Sequence, residues 1–64
     1  MKYRDLMRIL KDHGFEFIRN SGHQIFSNGQ ISIAIPHRNE FSRGLVRRIL
    51  QQSRLTKEQI QELI

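Results

Sequence analysis

Three short β-type runs stand in a row between Phe15 and Pro36, and the punctuation between them constrains the fold more than any other feature of the chain. "FEFIR" (15–19) is rich in aromatic and β-branched residues and predicts a first strand. "HQIFS" (23–27) predicts a second, entered through the turn-forming "NSG" (20–22). Asn28-Gly29 then gives the strongest short hairpin signal. It predicts a two-residue type I′ turn, whose two central positions both need positive φ. "QISIAIP" completes the hairpin with Ile31, Ile33 and Ile35 on one face. Pro36 ends that strand, because proline has no N–H to give to a ladder.

Helical periods flank the strands. Tyr3, Leu6, Met7, Ile9, Leu10 and His13 recur at helical spacing, and Gly14 sits where such a helix would end, so residues 2–13 predict an amphipathic helix. Pro36 to Glu40 is a polar loop. Ser42 is placed to cap a helix running to about Ser53, with Leu45, Val46, Ile49 and Leu50 as its apolar stripe. Arg43, Arg47, Gln51 and Arg54 follow one another along a different face. Thr56 and Gln59 form a capping-box pattern ahead of a short helix carrying Ile60, Leu63 and Ile64. The expected architecture is α+β in the order α-β-β-β-α with a short C-terminal helix. A three-stranded antiparallel sheet would carry the helices on one face, as in a double-stranded-RNA-binding-like domain, with residues 1–64 forming a single domain.

Size and composition narrow the chemistry. A chain of 64 residues buries only about 60% of its unfolded surface, so almost every apolar residue is expected to serve the core. Any reaction should therefore take place on an open surface, with a substrate that supplies its own binding area. There is no cysteine, which excludes a disulfide framework, a thiolate nucleophile and sulfur-bound zinc. The three histidines and six acids show no HExxH-like spacing, and no metal or cofactor is expected. No apolar run has the length of a membrane span, and "MKYRDLMRIL" lacks a signal-peptide hydrophobic stretch, so the expectation is a soluble, cytoplasmic protein.

Charge points to a partner class. Eleven Lys and Arg against six Asp and Glu leave a net charge of +5. Arg19, Arg38, Arg43, Arg47, Arg48, Arg54 and Lys57 share their part of the chain with one acid, Glu40, whereas the first eighteen residues are nearly balanced. Positive charge gathered on one part of a small domain suits a polyanion.

The histidines differ in their settings. His23 follows Gly22, which permits close approach of a backbone or ligand, and Arg19 lies four positions before it. An imidazole has both protonation forms available near neutrality, which makes histidine the commonest general acid or base. His37 follows Pro36, which restricts the entry to its loop; it is a candidate second proton donor or phosphate contact. His13 stands in the last turn of a predicted helix, where interaction with the carbonyl end of the dipole accounts for it. The acids Asp5, Asp12, Glu16, Glu58 and Glu62 alternate with basic residues and do not form a metal cluster.

Taken together, "LMRILKDHGFEFIRNSGHQIF", a hairpin, "IAIPH", and "RGLVRRILQQSRLTKEQIQEL" resemble the HicA-type toxins of bacterial toxin–antitoxin systems over essentially the whole chain. The resemblance implies a messenger-RNA endoribonuclease that works without the ribosome and whose strand-two histidine is catalytic, a role that maps onto His23. It also implies a separately folded HicB-type antitoxin that covers this histidine. Family members commonly carry Gly-Ser-His, whereas this chain has Ser21-Gly22-His23, and Pro36 and His37 are adjacent where many members have a residue between them.

The residues suit metal-independent cleavage. RNA brings its own nucleophile, the 2′-hydroxyl; a base takes its proton, the oxygen attacks phosphorus, and an acid protonates the departing 5′-oxygen. Cationic groups stabilise the charge that develops on the phosphorane. His23 is the expected general acid or base and Arg19 a phosphate contact, with His37, Arg43 and Arg47 as further RNA-binding candidates; the alternative for Arg43 and Arg47 is the surface that meets the antitoxin. A non-catalytic RNA-binding module would use the same basic surface. A DNA-binding helix-turn-helix around "SRLT" is the third reading, although "KEQIQELI" has two glutamates and one lysine, a poor recognition helix for a polyanion.

Overall fold

Helix ends show how directly local sequence sets this structure, a computed structural model describing residues Met1–Ile64. The first helix, α1, spans Tyr3–Asp12 and closes on Gly14 at φ 87. The Gly14 N–H donates to the Lys11 carbonyl and the Phe15 N–H to the Leu10 carbonyl. That pair of bonds is a Schellman motif, and its left-handed residue favours glycine. It also delivers Phe15 directly into the core. Three strands follow: β1 (Glu16–Ser21), β2 (His23–Ser27) and β3 (Ser32–Ile35). Two helices finish the chain, α2 (Arg43–Gln52) and α3 (Lys57–Leu63).

The Ser42 hydroxyl accepts from the Leu45 N–H and starts α2, and Thr56 and Gln59 form the expected capping box at the start of α3. Each satisfies backbone donors that a helix otherwise leaves unpaired. α1 has no side-chain cap; the Tyr3 N–H instead donates to the Asn39 carbonyl at 3.0 Å. Beside it Phe41 N–H donates to the Met1 carbonyl at 2.7 Å, so the chain start and the loop after β3 are stitched together.

The sheet has the order β1-β2-β3 with both pairings antiparallel, as the hairpin reading predicted. The β2–β3 turn differs from the expected type I′. Ser27 pairs with Ser32, leaving a four-residue loop, and within it only Gly29, at φ 94, has positive φ. Asn28 acts through its side chain: its Oδ1 accepts from the N–H groups of Gln30 and Ile31, both at 2.9 Å. An asparagine that hydrogen-bonds its own turn in this way fixes the loop without entering the left-handed region.

Directly paired residues share a sheet face, and successive residues alternate. Phe17, Phe26 and Ile33 therefore lie on one face with Asn20, Gln24 and Ile35; Arg19, Ile25 and Ala34 lie on the other with Ser21 and His23. Phe26, Ile33 and Ile35 join Leu6, Leu10, Phe15, Phe41, Val46, Ile49, Leu50 and Ile60 in one core, so the helices cover the first face and leave the second open. The shortest dimension, 16 Å, fits these two layers.

One irregularity decides which side chains reach the open face. The β1–β2 register shifts between Phe17 and Arg19, leaving Ile18 as the extra residue of a bulge. In an unbroken strand Arg19 would share the face of Phe17, whereas the bulge turns it to the open face. The same region corrects the expectation that almost every apolar residue serves the core. Phe17 is 54% exposed and Ile18 50%. β1 is an edge strand exposed along its whole length, and α1 does not close over Phe17.

Candidate functional site

The β1–β2 connection is as tight as a hairpin allows. Ser21 pairs with His23 around Gly22, whose φ is 77. A Cβ on Gly22 would meet nothing within 4 Å, so it is the backbone conformation, and not close approach of a neighbour, that calls for glycine here. This turn gives a physical reason for the order Ser21-Gly22-His23: the residue at the apex is the one that must adopt positive φ. His23 emerges immediately after it as the first residue of β2, exposed and on the open face.

Arg19 is exposed and sits opposite Ile25, which makes it the diagonal neighbour of His23 across the β1–β2 pair. Such neighbours have Cα atoms about 7–8 Å apart, within reach of a long side chain. A phosphate lying on this face can thus meet the guanidinium and the imidazole together. Around them the face carries Ser21, Ser27, Ser32 and Ala34, with Ile25 at its centre and Glu16 opposite Ser27. It is an open surface, accessible to a polymer.

His37 follows β3 at the same end of the sheet. Continuing the Gln24–Ile35 pairing by two residues sets it beside Gly22. Its Nε2 lies 3.1 Å from Asn20 Oδ1, across the end of β2. With the amide oxygen as acceptor, Nε2 carries the hydrogen and Nδ1 is left free. Nearby, the Tyr3 hydroxyl donates to Gln24 Oε1 at 2.7 Å. Tyr3, Gln24, His37, Arg38 and Asn39 together line a polar recess of about 390 Å³.

Arg43 and Arg47 are exposed one turn apart on α2. They line two separate clefts on the α2–α3 side, and neither cleft includes His23 or His37. The structure therefore groups Arg19 with His23, sets His37 at the same rim, and keeps the two α2 arginines apart. His13 Nδ1 lies 2.8 Å from the Ile9 carbonyl in the last turn of α1, matching the structural role expected of it. No three metal-ligating side chains come together.

Asn20, Gln24 and Tyr3 escaped the sequence reading. The signal that would have found them is Gln24 itself, a polar residue on the helix-covered face next to the fully buried Ile35. A second cleft of about 750 Å³ opens from the same glutamine, where Tyr3, Met7 and Lys11 of α1 face Phe17, Gln24 and Phe26 of the sheet. Its walls are largely aromatic, with the Phe17 and Phe26 rings edge to face at 5.7 Å.

An open antiparallel sheet with an exposed histidine at the start of its central strand, backed by helices, is the setting in which comparison with known proteins becomes informative. The family model described as "HicA toxin of bacterial toxin-antitoxin" matches residues 3–55, from the start of α1 to just beyond α2. The chain belongs to this family and is a toxin of a toxin–antitoxin system, which implies a cognate antitoxin as its partner. No curated protein and no solved structure gives a significant match. No helix is long and apolar enough to cross a membrane.

Proposed function

We propose that this toxin is a metal-independent endoribonuclease acting on messenger RNA, with His23 as its principal proton-transfer residue. The observation that carries the reading is the placement of His23 and Arg19 as diagonal neighbours on the open face. His23 takes the proton of the 2′-hydroxyl, or returns one to the 5′-oxygen. As the 2′-oxygen bonds to phosphorus, the P–O5′ bond breaks. The products are a 2′,3′-cyclic phosphate and a 5′-hydroxyl, so no water enters the first step. Arg19 holds the non-bridging oxygens, where negative charge grows in the transition state.

His37, held by Asn20 with its Nδ1 free, serves a neighbouring phosphate. Arg43 and Arg47 serve the RNA backbone farther from the cut. Backbone contacts of this kind position the polymer without reading its sequence. A HicB-type antitoxin neutralises the enzyme by covering the open face around His23.

Replacing His23 with Ala tests the reading on an RNA and on the same oligonucleotide without 2′-hydroxyls. The variant should lose about 10²-fold or more of the RNA cleavage, the usual contribution of a positioned acid or base, with its circular dichroism and melting unchanged. The wild type should leave the deoxy oligonucleotide intact. Cleavage retained by the Ala variant would remove His23 from the mechanism. RNA that is bound but never cut would favour a purely RNA-binding domain, and activity that a chelator abolishes and Mg²⁺ restores would overturn metal independence.

A further inference from the structure

The ribonuclease reading uses the open face of the sheet and leaves the aromatic cleft behind β2 without a task. Two features there are not demanded by folding. Phe17 stands 54% exposed in a chain with few apolar residues to spare, and Gln24 holds a polar amide beside the fully buried Ile35. We propose that this cleft receives one unstacked base of the RNA strand that His23 cuts, an inference that rests on the ribonuclease reading.

The geometry favours a base over other occupants. Phe17 and Tyr3 offer ring surfaces, and stacking on aromatic side chains is how open sheets hold unpaired bases. The Tyr3 hydroxyl fixes Gln24 by donating to its Oε1, which leaves the amide NH₂ and one lone pair of that oxygen free. A donor beside an acceptor matches the hydrogen-bonding edge of a nucleobase, and an apolar pocket with a few convergent polar groups is the usual form of a small-molecule site. A cleft of about 750 Å³ takes a base with room for its ribose. Lys11 lies in its wall for the attached phosphate, and Glu16 is the one carboxylate of the lining.

Position links the cleft to the cut. Gln24 follows His23 directly in β2, so their Cα atoms are about 3.8 Å apart while their side chains leave opposite faces. A strand folding over the Gly22 turn presents a phosphate to His23 and an adjacent base to Gln24. Gln24 is then the residue that sets the base preference of cleavage.

The test is an NMR titration of the full chain with the four ribonucleoside 5′-monophosphates, following the Gln24 side-chain amide and the Phe17 backbone amide. Ribose 5-phosphate serves as the base-free control. At least one nucleotide should shift both signals saturably and ribose 5-phosphate should not. Phe17→Ala, at a half-exposed position outside the buried core, should weaken that binding about tenfold, in line with the worth of one stacked base, with the fold checked by circular dichroism. Gln24→Leu should narrow the difference between the four nucleotides. No shift with any nucleotide, or an equal shift with ribose 5-phosphate, would overturn the proposal. So would binding of N-acetylphenylalaninamide alone, which would make the cleft a protein-docking site. The His23→Ala variant should keep the nucleotide shifts while losing cleavage. Failure of the base site and failure of the ribonuclease reading are therefore read from separate signals.

Discussion

Arg54 closes α2 at φ 63, the one non-glycine residue of the chain with positive φ. Its N–H donates to the Gln51 carbonyl and the Leu55 N–H to the Leu50 carbonyl, the same motif that ends α1 around Gly14. A side chain in the left-handed region costs about 1–2 kcal/mol, a penalty that glycine escapes. Arg54→Gly should therefore raise the unfolding free energy by about 1 kcal/mol, less whatever the freer unfolded chain takes back, as measured by urea titration. A loss of stability would show that the arginine side chain contributes more than the backbone strain removes. The expected end of α2 at about Ser53 lies within one residue of the observed end at Gln52, but nothing in the sequence marks this cap, since arginine is an ordinary residue for a helix face and a poor marker of a left-handed turn. Gly14 and Gly22 were better markers because glycine is the residue such turns select.

Among the elements, β1 shows most clearly what pattern reading can and cannot reach. "FEFIR" announced a strand, and the strand is there, but a period of two treats every position alike and cannot reveal a bulge. Ile18 is the extra residue, and it decides that Arg19 joins His23 on the open face. Deleting Ile18 should leave Phe17 opposite Phe26 and Arg19 opposite Ile25, because a bulge adds a residue to one strand without moving the pairs on either side. The variant should keep its sheet contacts in NMR spectra and its RNA cleavage. If Arg19 instead slips to the helix-covered face, a one-residue change of register would reverse the strand's faces and cleavage should fall. The β2–β3 hairpin was legible from Asn28-Gly29, yet its loop is not a type I′ turn: the Asn28 N–H donates to the Ile31 carbonyl while the Asn28 side chain accepts from the N–H groups of Gln30 and Ile31. The helices were legible nearly to the residue, since Ser42, Thr56, Gln59 and Gly14 act through short-range bonds that the sequence states openly.

At the scale of the molecule, two layers only 16 Å deep leave no interior for an enclosed active site. The proposed chemistry therefore belongs on the surface, and a net charge of +5 suits the polyanion proposed as its substrate. His23 and Arg19 were legible as candidates because their residue types carry the chemistry. Their shared face was not, since it depends on a bulge. Gln24 and Tyr3 stayed hidden because their meeting joins α1 to β2 over twenty-one positions, a contact that no local pattern encodes. The central claim is that the 2′-hydroxyl of RNA is the nucleophile and His23 moves its proton. Mass spectrometry of the ends left by the wild-type protein on a short RNA, with a chelator present, tests this most directly. The account predicts a 2′,3′-cyclic phosphate on one fragment and a 5′-hydroxyl on the other. A 3′-hydroxyl with a 5′-phosphate, the mark of attack by water, would contradict it.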